Sequence, residues 1–273
     1  MQSNKIIITG FSGFIGSNLV KSINKERLLF IDRDSFVTDF KIFDYQKNII
    51  NLQSIQTKPL TLVHLATYFS KLDNEKDKIL EGNLIFGEKI LNELKEFHLK
   101  NIIYTNSMYK YYKEDYLRNS VYCKSKNEFS SLLSKFCNNY SVKKHEIFLD
   151  NTFGKNDLRN KIIPLIVESI KNGLQNPINN PKNTINLVYV NDVIKYILSL
   201  TEETSKNSIS SFVNDKSIVL KSIYEFLYFY RENRIIDNTL IKYVNNSYIK
   251  EYPENKYNSI STTNIFLELS KLI

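Results

Sequence analysis

Cysteine is nearly missing from this chain. Cys123 and Cys137 are its only two, and their separation fits neither a metal site nor a redox pair, as expected of a reducing, cytoplasmic setting. Histidine is almost as scarce. His64, His98 and His145 lie far apart in sequence, without metal-site spacing. No apolar run approaches the ~20 residues of a membrane span. A strand begins almost at once, so a cleaved leader is not expected. The formal net charge is +8, yet the lysines are scattered singly or in pairs such as Lys143 and Lys144. A nucleic-acid-binding arm would need a basic block; scattered lysines are compatible with an anionic small substrate. Neither a repeat nor a low-complexity linker interrupts the 273 residues, so any second domain is interleaved with the first. With 42% hydrophobic and 24% charged residues, the composition is that of a soluble globular protein.

The most informative stretch is Lys5 to Gly16. Ile6, Ile7 and Ile8 form a β-branched run suited to a strand buried on both faces. Gly10, Gly13 and Gly16 follow at three-residue spacing as a helix begins, with Ile15, Leu19, Val20 and Ile23 on its apolar stripe. A strand, a glycine turn and a helix N-terminus make an anion site, because free N–H groups and the helix dipole favour negative charge. A second strand, Leu28 to Ile31, ends in Asp32, where a carboxylate can take adenosine ribose hydroxyls. Arg33 follows and could reach a 2′-phosphate instead.

Strands and helices then alternate. Further strands are expected at Lys41–Phe43, Leu60–His64, Asn101–Tyr104 and His145–Leu149, with helices at 48–56, 79–98 and 120–137, the last with Phe129, Leu132, Leu133 and Phe136 facing the core. The alternation predicts an α/β fold with a doubly wound parallel sheet. Beyond Gly154 come a helix from Ile162 to Lys171 stopped at Gly173, an Asn- and Pro-rich loop over 176–184, and a strand at Leu187–Val190. A helix follows from Asn191, capped by Asn191 or Asp192. An aromatic helix spans Ile223–Tyr230, with Phe226, Leu227, Tyr228 and Phe229 read as core. The polar tail after it suggests no element. The expected division is a dinucleotide-binding domain over 1–157 and a smaller substrate domain over 158–273, with 185–203 returning to the first.

Tyr122 and Lys126 lie one helical turn apart on one face. A free phenol has a pKa of ~10 and needs help to exchange a proton near neutrality. A neighbouring ammonium supplies it, and can also hold a nicotinamide ribose. Ser107, at the carboxyl end of a strand, is placed to fix the reacting oxygen, since ligands in such sheets bind beyond the strand ends.

In these residues the chain resembles the extended short-chain dehydrogenase/reductases, the NAD-dependent epimerase/dehydratases, over most of 5–200. Thr9-Gly10-Phe11-Ser12-Gly13-Phe14-Ile15-Gly16 is similar to their glycine signature, and Asp32 to their ribose carboxylate. By the same resemblance Asp44 is an adenine-side aspartate, Leu65, Ala66 and Thr67 line the cofactor, and Asn83 supports the site. Ser107, Tyr122 and Lys126 match the catalytic set, with Thr105 beside the cofactor and substrate. Asn151, in Asn-Thr-Phe-Gly, matches an asparagine that meets a sugar nucleotide. The resemblance implies bound NAD or NADP and pairing into a homodimer through the helices of the long stripe and the Tyr-Lys pair.

The reaction class follows from what surrounds these residues. Relatives that dehydrate a nucleotide-hexose carry Asp-Glu after the strand-end threonine; here Asn106 and Ser107 stand there, so dehydration is not expected. Relatives that epimerise beside a ketone add a Cys/His pair, but Cys123 should point away from the site and His145 sits at a strand start. Ser107 precedes Tyr122 by 15 positions, which is similar to the abequose and paratose synthases, as are Thr105, Asp157, Lys161 and Pro164. The leading expectation is a reductase for the C4 ketone of a nucleotide-linked deoxy-4-ketohexose. A 4-epimerase with retained NAD is the alternative, and a non-catalytic dinucleotide sensor is a third. Two departures stand out. Ile185 replaces an arginine that grips the substrate pyrophosphate, leaving Asn186 and Lys182 as polar candidates. Asp150 brings an acid to the pocket, read either as a hydrogen-bonded structural aspartate or as a reacting group.

Overall fold

The isoleucine run at 6–8 lies at the centre of an eight-stranded sheet in the computed structural model of the chain. The structure describes residues 4–33, 40–56, 58–70, 73–180, 182–202, 206–232, 241–246, 249–251, 253, 256–257 and 264–273. The first part of the chain runs β1 (Lys5–Thr9), α1 (Phe14–Val20), β2 (Leu28–Arg33), β3 (Phe40–Asp44), β4 (Leu60–His64), α2 (Lys76–Leu80) and α3 (Phe86–Leu94). Next come β5 (Leu99–Ser107), α4 (Asp115–Arg118), α5 (Val121–Tyr140), β6 (Lys143–Leu149), β7 (Asn151–Phe153), α6 (Ile162–Asn172), β8 (Thr184–Ile185), β9 (Leu187–Tyr189) and α7 (Val190–Glu202). The remainder is β10 (Ser208–Phe212), β11 (Lys216–Val219), α8 (Leu220–Arg231), β12 (Tyr243–Asn245), β13 (Lys256–Tyr257) and α9 (Ile265–Ser270).

The strand order is β13-β10-β6-β5-β4-β1-β2-β3. β1 and β4 run parallel, and the order in which successive strands are added reverses between them, so a crevice opens beyond their carboxyl ends. Side chains alternate across the sheet. Ile6 and Ile8 pack towards α1 and α7, with Val193, Ile194 and Ile197, while Ile7 packs towards α3 and α5, with Ile90, Leu91 and Phe129. That double burial is why the run contains no polar residue. A third core, formed by Phe153, Ile163, Ile166, Ile218, Ile223 and Leu227 among others, packs α6, α8 and α9 with β8, β9 and β11.

Several elements depart from the sequence reading. β3 pairs antiparallel to β2, so the sheet is parallel except at this edge. Positions 34–39 are too few for a crossover helix, which a parallel partner would need. The helix expected over 48–56 is reduced to a 3-10 turn, Leu52–Ile55, started by the Asn51 side chain. The helix expected over 79–98 begins at Lys76, ends at Leu94 and is interrupted by a π-helical turn, Glu81–Ile85. α7 starts at Val190 rather than Asn191. On α5, Leu132 and Phe136 are only half-buried, and on α8 Tyr228 is exposed while Phe226 and Leu227 are core. The tail supplies β12, β13 and α9, and the return to the large sheet runs on through β10, which pairs with β6.

Asn186 shows why it is no candidate for gripping a substrate. It is fully buried, its Oδ1 accepts Asn214 N–H at 2.9 Å, and its Nδ2 donates to Asn214 O at 2.8 Å. Asn214 Nδ2 in turn donates to Leu187 O at 2.7 Å. This reciprocal pair joins the segment between β8 and β9 to that between β10 and β11. An Asn186→Leu substitution strands those backbone groups in the interior, and should cost about 3 kcal/mol. Urea denaturation checks this; an unchanged midpoint would contradict it.

Candidate active site

The site begins where β1 meets β4. The Thr9 hydroxyl accepts N–H groups from Leu65 at 3.2 Å and Ala66 at 3.1 Å, and lies 3.0 Å from His64 Nδ1. Having received two hydrogens, it gives its own to the imidazole. Burial, with Lys126 nearby, lowers His64 to about 3, so this ring is neutral structure rather than an acid. Gly10 then turns the chain with φ of +69°, and a Cβ there would come within 2.6 Å of Ala66 N. At Gly16 a Cβ would lie 2.2 Å from Gly10 O. Neither position admits a side chain. The cap of α1, Gly13, offers no side chain to its first N–H groups, which leaves them for an anion.

From this turn a cavity of about 910 Å³ extends to α5. Of the residues singled out in the sequence, Gly10, Gly13, Phe14, Ile15, Gly16, Leu65, Thr67, Thr105, Ser107, Tyr122, Lys126 and Asn151 line it. Others are placed elsewhere. Phe11 packs on Phe30 of β2, with ring centroids 4.7 Å apart. Ala66 spends its N–H on Thr9. Asp32 is exposed at the end of β2, and the Arg33 side chain lies outside the described residues. The Asp44 carboxylate accepts from Asn48 Nδ2, Asn48 N and Gln46 N, each at 2.9 Å, and these bonds, led by the Asn48 side chain, lower its pKa. Asn83 sits in the π turn, behind the cavity wall. Its Oδ1 accepts Tyr68 N–H at 2.7 Å, and its Nδ2 donates to Tyr68 O at 3.0 Å and Ser125 Oγ at 3.2 Å. The extra residue of the π turn aims that amide at both the 65–70 loop and α5.

α5 carries the reacting groups. Ser120 caps it by accepting Cys123 N–H at 3.2 Å. Ser125 Oγ donates to Tyr122 O at 2.9 Å, tying the turn that presents the phenol to Asn83. Burial raises the Tyr122 pKa, while its hydrogen bond with Ser107 and the charge of Arg159 oppose the rise. The phenol is therefore protonated at neutral pH. Phe69 meets it edge-on at 4.9 Å and Tyr109 at 6.0 Å, closing off water on those sides. Ser107 Oγ accepts Tyr109 N–H at 3.2 Å, so its hydrogen is left for another acceptor. Lys126 is buried. Its Nζ donates to Thr67 Oγ1 at 2.9 Å and lies 4.6 Å from the centre of the Tyr104 ring. Burial lowers it to about 7, against the opposing charge of Glu146.

Three further groups lie at or near the cavity wall. Asp150 Oδ1 accepts from Tyr112 OH at 2.6 Å, Asn151 Nδ2 at 2.6 Å and Asn151 N at 2.9 Å, the pattern of the structural reading, at the cavity wall. Cys123 is buried against Asn127 and His145 pairs with Ser208 at 2.8 Å; neither lines the cavity. Arg159, which the sequence reading passed over, does line it, beside Lys161 and Ile185. Its guanidinium makes two 2.7 Å contacts with the Asp157 carboxylate, another with Thr152 O, and stacks 4.2 Å over Phe14. Lys161 Nζ lies 3.7 Å over the Phe69 ring. The available signal was a pair of cations close behind Asn-Thr-Phe-Gly. Phe69 and Tyr109 carried none, being indistinguishable from core aromatics.

A family model described as NAD dependent epimerase/dehydratase family matches residues 6–214. CDP-abequose synthase of Salmonella muenchen is 23% identical over 234 residues, covering 82% of this chain and 80% of that protein. Among solved structures, the UDP-N-acetylglucosamine 4-epimerase from Methanobrevibacter ruminantium M1 in complex with UDP-N-acetylmuramic acid superposes with a TM-score of 0.72 at 18% identity. It covers 100% of this chain, and 97% of its own chain is matched. The UDP-glucuronic acid 4-epimerase from Bacillus cereus in complex with NAD gives 0.71 at 15% identity, over 97% of this chain and 94% of that one.

The residues present fit a dinucleotide. The N–H groups of Phe14 to Gly16, left uncapped at the start of α1 while Gly13 N–H turns back to Gly10 O, suit its diphosphate, and the buried Lys126 ammonium, with one donor on Thr67, has others for ribose hydroxyls. A lysine is charged below its pKa, so the grip weakens as pH rises through about 7. NADH or NADPH affinity, read by fluorescence titration, should fall about tenfold between about pH 6 and about pH 9, and Lys126→Met should abolish that dependence. An affinity flat with pH in the parent protein would contradict it.

Proposed function

Because the chain belongs to the NAD-dependent epimerase/dehydratase family, whose members work on nucleotide sugars with NAD or NADP, we propose that it reduces the C4 ketone of a nucleotide-linked deoxy-4-ketohexose, a step in building surface-polysaccharide sugars. The observation that carries this reading is the contact between Ser107 and a protonated Tyr122 in the cavity that begins at the glycine turn. A nicotinamide dinucleotide held by the glycine turn and Lys126 would supply the hydride for the carbonyl carbon. Tyr122 gives its proton to the carbonyl oxygen, and Ser107, whose hydrogen is not spent on Tyr109, donates to the same oxygen. Thr105, also at the cavity wall, adds a second hydroxyl. Lys126 holds the ribose, with Thr67 and Tyr104 fixing its direction.

The neighbouring chemistry narrows the reaction. Asn106 is buried, and its amide is committed to Glu146 and to Ser107 N–H, so it has no proton to deliver for dehydration. A 4-epimerase with retained NAD would use the same three groups, and the likeness in fold to 4-epimerases keeps that reading in view. The two differ in cofactor turnover: steady oxidation of added NADH or NADPH supports reduction. A non-catalytic sensor has no use for Ser107, Tyr122 and Lys126 together.

The diphosphate of the substrate falls to Lys161. Ile185 offers no charge, whereas Lys161 lines the same cavity at the N-terminus of α6, where no side chain caps the first N–H groups. Residues such as Ile85 and Tyr140, exposed on the π turn and α5, support a homodimer joined along these helices. Among the described residues no helix is long and apolar enough to cross a membrane, and both cysteines are free and buried, which supports a cytoplasmic enzyme.

In assays with a panel of 4-keto nucleotide sugars, Tyr122→Phe should lower kcat about 10²- to 10⁴-fold while the protein still binds the dinucleotide. Lys161→Ala should raise the KM for the nucleotide sugar about tenfold, ~1.4 kcal/mol, with kcat little changed. Full activity in Tyr122→Phe would overturn the reading.

A further inference from the structure

Beneath α5 lies a carboxylate that the reaction above does not use. Glu146 stands in β6 opposite Tyr104 of β5 and is 3% exposed. One oxygen, Oε1, accepts from Asn106 Nδ2 at 2.7 Å. The other, Oε2, accepts from Ser130 Oγ of α5 at 2.9 Å and pairs with Lys144 Nζ at 2.7 Å. Asn106 passes the connection on, since its Oδ1 accepts the Ser107 N–H at 2.7 Å. Its amide is thus fixed at both ends, and the last residue of β5 is held by a side chain. A buried ion pair is not a cheap way to fill such a space, because an apolar pair of the same volume is often as stable or more so.

We propose that Glu146 is a positioning residue of this site: through Asn106 it fixes the backbone that presents Ser107, and its buried negative charge acts on the Lys126 ammonium from the neighbouring strand. The inference rests on the reading of Ser107 and Lys126 as working groups. The Lys126 ammonium lies over the Tyr104 ring of β5, and Tyr104 is paired in register with Glu146 of β6; neutral His64 lies on β4, Tyr122 is one turn earlier on the same helix, and Asn83 of the π turn, bonded to Ser125, is uncharged. Of these only Glu146 bears a negative charge at neutral pH, with Lys144 as its ion-pair partner. Burial drives the lysine towards its neutral form, and Glu146 opposes that. The carboxylate itself stays ionised, because Lys144, Asn106 and Ser130 outweigh its own burial.

The test replaces the charge and keeps the shape. Protein labelled with [6-13C]lysine reports the protonation of Lys126 through its Cε shift, with the signal assigned by Lys126→Met. Glu146→Gln, which retains an oxygen for Asn106, should move the Lys126 midpoint down by about one pH unit, and Glu146→Asp should restore most of it. Asn106→Ala leaves the charge in place, so the midpoint should stay within about 0.3 unit while hydrogen exchange at the Ser107 amide speeds up about tenfold or more. Should Glu146→Gln fail to fold, the double variant Glu146→Met with Lys144→Met removes the pair together, and the midpoint should again fall. An unmoved midpoint in a folded charge-removing variant, or unaltered exchange in Asn106→Ala, would overturn the proposal. A protein that shows the shift yet reduces no ketone would contradict the functional reading instead, leaving the placement of Glu146 intact.

Discussion

Lys126 carries a charge into the protein interior, where it is almost wholly removed from water. Desolvating an ammonium costs several kcal/mol even after relaxation, so the groups around it are arranged to recover part of that. Thr67 accepts a hydrogen bond, the Tyr104 ring presents its face, and Glu146 supplies the opposite charge through the sheet. The residual strain appears as a proton affinity near neutrality. A lysine left in water would bind a ribose weakly, because water competes for every donor. The buried one has few competitors, and the fold bears the cost of burying it.

The sheet determines where that cost can be met. Reversal of strand order between β1 and β4 opens one crevice, and Thr9 closes its floor by binding the first N–H groups beyond β4. Gly10 and Gly16 let the first turn approach that floor, and α5 forms the opposite wall. Asn83 links the loop after β4 to α5 through Tyr68 and Ser125. The glycine-turn end of the cavity and its Tyr122 end are therefore tied to the same strand termini.

Much of this was legible in the residues themselves. A glycine turn after an isoleucine strand, a serine at a strand end and a Tyr-Lys pair one turn apart are dictated by chemistry, and their side chains have few substitutes. The central strands were equally plain, since burial on both faces forbids polar residues. The supporting shell was less visible. Glu146 stands in His-Glu-Ile-Phe-Leu, where alternation suggests an ordinary edge position, and only the packing of α5 shows it to be buried. Phe69 and Tyr109 have the composition of core, and Arg159 becomes a site residue only because its loop folds back over Phe14. The π turn hid inside a good helical stripe, since one extra residue hardly disturbs a 3.6-residue pattern. The antiparallel edge at β3 follows from the short connection before it, which the hydrophobic pattern does not record.

The central claim is spatial: phenol, hydroxyl and ammonium share one cavity with the dinucleotide. A crystal structure with NADPH or NADH bound tests it most directly. Density should run from the turn at Gly13 past Thr67 to Tyr122, with a ribose in contact with Lys126. Density elsewhere on the protein, or a Tyr122 ring turned away from the bound nicotinamide, would contradict it.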